Sequence, residues 1–376
     1  MPTPANHRIR IPWLFSPTVD LAAFLGSALL SLLLLAVGHQ LGVLHGDSPE
    51  WTWVTAILLI DVAHVWATAF RVYFDPVEFR RRRGLYLLTP VISFAVGWAV
   101  YSEYGSLVFW RLLAYLAVFH FVRQQYGWVA LYRNRGHETE RFGRWIDSAA
   151  IYLATIYPLV WWHAHLPRRF AWFLDSGHDF LAVPQIAEQL LEPVYWMALL
   201  AYFARLLGRG FRFGQWNPGK DIVVATTAFC WHVGIITFNS DYAFTVTNVV
   251  IHGVPYFVIV YWSWSRSQES VEGESNAVAG TARSLFRPTS GGSRLRRILV
   301  FFATLWVLAF VEELLWDRGV WHERPWLFGS GWDSERYAAV LVPLLAVPQI
   351  THYILDGFIW KRRSNPSLQR LSSTAP

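Results

Sequence analysis

Cysteine is almost missing from this chain: Cys230 is the single one in 376 residues. One thiol excludes an intramolecular disulfide and any cysteine-built zinc or iron–sulfur framework. In its apolar surroundings Cys230 reads as a small packing residue rather than a nucleophile. Charge is scarce as well. Asp, Glu, Lys and Arg make up 15% of the residues, against about 25% in a soluble domain, too little to coat a water-soluble surface. A cleavable leader is not expected either, because the first apolar run, from near Val19, is longer than the ~7–15 residues of a signal-peptide core.

What is present is apolar and aromatic. Hydrophobic residues make up 54% of the chain, and 22 are tryptophan, a residue that favours the membrane–water interface. Ten apolar stretches have about the 20 residues needed to cross a bilayer, near 19–44, 51–74, 84–104, 106–131, 145–166, 191–211, 220–240, 242–265, 295–316 and 336–360. With the N-terminus cytoplasmic, 25 of the 32 lysines and arginines fall in inside segments and five, Arg168, Arg169, Arg318, Arg324 and Arg336, fall outside. Arg111 and Arg123 lie within the fourth stretch. That asymmetry predicts both termini on the cytoplasmic side of a bacterial-type inner (plasma) membrane. It also accounts for the basic pI of 9.5 without a nucleic-acid partner. The expected fold is all-α, a polytopic membrane bundle of about ten spans forming one domain. Residues 268–293, rich in Gly, Ser and Glu, are expected to be a flexible cytoplasmic linker between spans eight and nine.

Five of these stretches carry a histidine near mid-depth: His64, His120, His232, His252 and His352. Ionisable groups inside a bilayer are costly unless paired or ligated, so several at one level point to a shared site. Helical spacing gives each a polar stripe. Asp61, His64, Thr68 and Arg71 share one face; His120, Arg123, Gln124 and Gly127 another; Asn248, His252 and Tyr256 a third; Gln349, His352 and Asp356 a fourth. His232 has only aromatic and small neighbours. Glu312 and Glu313 fall near the end of the ninth stretch, where water is expected to solvate them.

Imidazole and carboxylate projecting inward from a helical bundle are ligands for iron, zinc, manganese or copper. In Asp61-x-x-His64 and His352-x-x-x-Asp356 the carboxylate either binds metal or fixes the imidazole tautomer through its second N–H. A mononuclear four-histidine centre and a dinuclear centre with aspartate ligands both remain open. Zinc hydrolysis lacks its His-Glu-x-x-His string, and the His-x-x-His-His boxes of membrane desaturases are missing. Iron with O₂ suits an apolar substrate arriving from lipid.

Histidines scattered over different spans of a compact helical bundle, here His64, His120, His252 and His352, resemble the bacteriorhodopsin-related-protein family of membrane carotenoid-cleaving dioxygenases. The resemblance implies an iron held by histidines from different spans and an iron-dependent oxygenase activity.

The sequence thus leads to a membrane oxygenase acting on a lipid or isoprenoid-like substrate, with Fe2+ as cofactor and zinc, manganese and copper as alternatives. His64, His120, His252 and His352 are the expected ligands, His232 a candidate fifth, and Asp61 and Asp356 orient the imidazoles or bridge a second metal. Arg123, Gln124 and Tyr256 are expected to line the site. A proton- or ion-coupled transporter using the same groups as a relay is the alternative, and bis-histidine haem ligation a third.

Overall fold

The computed structural model describes residues 11–46, 48–174, 179–275, 294–361, 365 and 368–369, with side chains of 267–275 left aside. The described chain is helical throughout. Its long helices are α1 (Pro17–Gln40), α2 (Glu50–Val72), α3 (Arg83–Arg135), α4 (Arg141–Ala164), α5 (Gln185–Phe213), α6 (Pro218–Trp231, continued by a wider π turn to Thr237), α7 (Asp241–Ser275), α8 (Arg294–Trp321) and α9 (Glu335–Ile359). Among the described residues, seven of them, α1, α2, α3, α5, α7, α8 and α9, are long and apolar enough to cross a membrane. Of the other two, α4 carries Arg141, Arg144 and Asp147 in its first turns, and the regular part of α6 is 14 residues long.

Helix α3 has 53 residues but is not one rod. At Gly105 the backbone takes φ 82° and ψ 174°, a conformation open essentially to glycine alone. Beyond it the chain doubles back. A Cβ placed on Gly97 would lie 3.3 Å from Cε2 of Phe109, whereas twelve residues of straight helix would set them about 18 Å apart. Tyr101 and Phe109 bring their rings to 5.6 Å across the same turn. The break at residue 105 read from hydropathy is therefore a tight helical hairpin.

Helix α7 is the axis of the bundle, with 89% of its apolar window buried, while α5, at 11%, lies on the periphery. Close approach of α2 to α7 depends on Gly253. A Cβ there would stand 2.5 Å from Cγ2 of Ile60 and 3.8 Å from Cβ of His64. Two tightly packed clusters flank the axis, one around Phe70, Trp264 and Phe301, the other around Trp162, Phe180 and Phe244. Residues 268–275 of the expected linker continue α7 as helix, and 276–293 lie outside the described residues.

At the end of the bundle where α3 passes into α4, charges meet in a buried clamp. Glu138, in the connection, accepts from Lys220 at 2.8 Å and from Asn217 at 2.8 Å, and pairs with Arg209. Asp147 on α4 pairs with Arg133, with Lys220 at 3.1 Å and with Arg205 at 3.3 Å. Burial opposes ionisation of Glu138, but Lys220 and the other donors outweigh it and hold its carboxyl down at about 2.

Candidate metal centre

Four of the five mid-depth histidines meet. His64 on α2, His120 on the second arm of α3, His252 on α7 and His352 on α9 are all buried, none more than 4% exposed. Nε2 of His252 is 3.1 Å from Nε2 of His64, and Nε2 of His352 is 3.2 Å from Nε2 of His120. The pairs also face each other: ring centroids are 4.9 Å apart for His64 and His352, and 5.1 Å for His120 and His252. Ligand atoms of His64, His120 and His252 lie within 4.8 Å of one another, as do those of His120, His352 and Asp356.

Local structure explains how the rings arrive there. Wide π turns over Trp53–Val62 end just before His64, whose ring is buried in the bundle interior while Asp61 stays partly exposed beside it. Gly253 lets α7 press against α2 beside His64. Gln124 donates from Nε2 to the carbonyl of His252 at 2.8 Å, tying α3 to α7 at the level of the rings. Phe121 stacks on the imidazole of His252 at 3.5 Å and 7°, and the Tyr353 ring is 5.0 Å from that of His120. The rings are thus fenced by aromatic faces that exclude water.

The outward nitrogens meet oxygen atoms. Nδ1 of His352 is 2.7 Å from Oγ1 of Thr68, which is 2.9 Å from the Tyr256 hydroxyl. That hydroxyl donates to Oδ1 of Asp356 at 2.7 Å, and Trp360 donates to the same oxygen at 3.2 Å. With Nδ1 of His352 protonated, every donor in this line has an acceptor and the line ends on a carboxylate. Nδ1 of His120 is 3.7 Å from Oδ2 of Asp356, and Nδ1 of His64 is 3.5 Å from Oδ1 of Asp61. Nδ1 of His64 and of His252 and Oδ1 of Asp61 are buried without a hydrogen bond.

A metal ion fits this donor set. At about 2.1 Å from a metal, two nitrogens are roughly 3.0 Å apart at a right angle and roughly 3.4 Å apart at a tetrahedral one. The two observed Nε2 separations fall between those values. Ligation through Nε2 also fixes the protons on Nδ1, facing Thr68, Asp61 and Asp356, which is the outer-shell arrangement that orients metal-bound histidine.

Other residues fall elsewhere. His232 is beside Tyr195 and Trp196, at ring distances of 6.2 and 5.9 Å, apart from the four. Arg71 turns to Asp75 and Glu78 instead of following its stripe into the site. Arg123 makes no ion pair with Asp61 or Asp356; it is exposed, bonded to the Tyr152 hydroxyl and set over the Tyr126 ring. Glu312 is not solvated at a helix end but buried, accepting from Trp66 at 2.5 Å and from Gln349 at 2.6 Å. It thereby joins α8 to the two helices that carry His64 and His352. Thr68 lay on the sequence stripe without an assigned role, and its spacing from His64 was the signal that could have given it one.

Set against known protein families, curated proteins and solved structures, the chain matches none of them.

Proposed function

We propose that the chain is a ten-span protein of a bacterial-type plasma membrane, with both termini cytoplasmic, that holds one iron ion through Nε2 of His64, His120, His252 and His352 and oxygenates a lipid or isoprenoid substrate. The observation that carries this is the convergence of four buried imidazoles from four helices, Nε2 toward Nε2 at 3.1 and 3.2 Å. One N–H···N bond within each pair would satisfy the facing nitrogens, but it gives no reason for the pairs to stack against each other in an apolar core. A shared cation does.

Ten spans follow if the two arms of α3 count separately and α4 and α6 cross as well, which agrees with the distribution of lysine and arginine. Iron is favoured over zinc, manganese and copper by the resemblance to histidine-iron membrane dioxygenases and by the apolar surroundings. Bound there, iron would supply redox chemistry with O₂ that amino-acid side chains lack. The residues of the chain hold and orient. Thr68, Tyr256 and Asp356 fix the proton of His352, Asp61 faces that of His64, and Phe121 and Tyr353 keep water away. Gln124 braces His252 from its backbone, so Gln124 and Tyr256 act by positioning.

Elemental analysis and an absorbance spectrum of detergent-purified protein, beside His120→Ala, test this reading. Stoichiometric iron without a Soret band, lost in the variant, is expected. Folded protein that retains no metal would overturn it. A proton- or ion-coupled transporter is the second reading, favoured by one observation: the Asp61 side chain is 33% exposed beside the buried His64. Proton flux in liposomes that is abolished by Asp61→Asn would move the assignment there.

A further inference from the structure

The residue that needs an explanation beyond the metal centre is Arg123. It lies on the second arm of α3, one helical turn from His120, roughly 27 Å of helix from Gly105 and roughly 18 Å from Arg135. That is well inside a span. Its side chain is exposed on the bundle surface, where its partners are the Tyr152 hydroxyl and the face of Tyr126, 5.0 Å away. Among the described residues no carboxylate pairs with it. The buried cations of the clamp and of the end of α2 have their anions: Arg71, Arg133, Arg205, Arg209 and Lys220 each meet at least one carboxylate. A guanidinium held at this depth without a counter-charge is costly in lipid, and such groups mark a substrate or ion position.

The surroundings define the shape of what would bind. Leu112 and Phe119, 53% and 62% exposed, continue the Arg123 face toward Gly105 at helical spacing. Ile156, one turn from Tyr152, does the same on α4. Tyr126 and Tyr152 stack at 5.0 Å and hold the two helices together under the guanidinium. A cation with a phenol beside it, at the end of an apolar stripe open to lipid, matches a molecule with one acidic group on a long apolar tail. Arginine offers paired N–H donors suited to a carboxylate or phosphate.

We propose that Arg123, with Tyr152, binds the oxyanion of an amphipathic substrate, a carboxylate or a phosphate on a long hydrocarbon tail, beside the four-histidine centre. This rests on reading that centre as the place of reaction. The anchored head group sets which stretch of the tail stands at the level of His120. Free acid and anionic phospholipid share the recognised chemistry, and the test separates them.

The full chain in a neutral detergent is titrated with radiolabelled oleate, with oleyl alcohol and with dioleoylphosphatidylglycerol, and the metal content of each sample is measured. Arg123→Gln is expected to weaken oleate binding roughly tenfold, the size of one charge-assisted contact. Arg123→Lys should recover most of it, and oleyl alcohol should bind both forms equally. Arg123→Gln should keep its metal, which certifies its fold, and His120→Ala should lose metal yet bind oleate. Dependence on Arg123 for the phospholipid alone would keep the oxyanion site and make a lipid head group its occupant. Equal binding of both anionic probes by wild type and Arg123→Gln overturns the proposal, whatever the metal result.

Discussion

Two of the polar clusters buried among the described residues are built on opposite plans. In the clamp around Glu138 and Asp147, each cation faces an anion: Lys220 bridges both carboxylates, Arg133 and Arg205 reach Asp147, and Arg209 reaches Glu138. Each cation meets at least one carboxylate, four of them sharing Glu138 and Asp147, with Glu140 a third anion 3.3 Å from Arg205. The histidine cluster brings together four groups of one kind, with their Nε2 atoms turned toward each other in pairs and their aspartates turned to the outer nitrogens. The first arrangement is closed by its own residues. The second leaves its facing nitrogens without an opposite charge, and on the proposed reading this difference separates a structural network from a binding site.

The comparison breaks most visibly at the ligands. Replacing His252 with alanine is expected to cut bound metal more than about 100-fold, beyond the roughly 10–100-fold that loss of an outer-shell partner produces, as elemental analysis would read. Asp147→Asn should leave metal content intact but lower stability by about 3–5 kcal/mol, because it leaves Arg133, Arg205 and Lys220 short of an anion. Thermal unfolding in detergent measures that loss. If Asp147→Asn removed metal as fully as His252→Ala, the two clusters would not be separable.

Gly253→Ala sharpens the contrast from the packing side. The added methyl meets Ile60, so α7 must move off α2, at about 1–3 kcal/mol. Metal affinity should fall with it because His64 and His252 separate, while the clamp is untouched. Tyr256→Phe is a smaller change. It removes the donor to Asp356 and the partner of Thr68, and metal affinity should drop by about tenfold with the fold retained. Acid also acts on the clamp. The Glu138 carboxyl titrates at about 2 when folded, against 4.5 for an ordinary glutamate. Its stabilisation is therefore complete above 4.5 and lost as pH falls from 4.5 through about 2. Unfolding followed over that window should show extra acid sensitivity in wild type that Glu138→Gln lacks.

Much of the site was legible because depth and helical phase are both sequence quantities. Counting residues from the span ends put His64, His120, His252 and His352 on one level, and the i, i+4 spacing put Asp356 with His352. Phase does not say which neighbour a face meets. His232 had the right depth, but α6 turns it toward Tyr195 on α5. Arg123 is 60° around the helix from His120, enough to move it from the interior to the surface. Glu312 had no legible partner, since Trp66 and Gln349 come from helices distant in sequence. The clamp was hidden for another reason. Its cations were fully explained as a topology signal, and composition cannot reveal that Glu138 and Asp147 gather four of them.

The four histidines are spread along the chain, at residues 64, 120, 252 and 352, and the last is carried by the final long helix among the described residues. During synthesis the centre stays incomplete until α9 has left the ribosome and packed against α2 and α3. At about 5–20 residues per second, some fifteen seconds or more separate the emergence of His64 from that of His352. If the centre holds an ion as proposed, metal capture would double as a completion check on biogenesis, because only a bundle with all four helices in place presents the full histidine set.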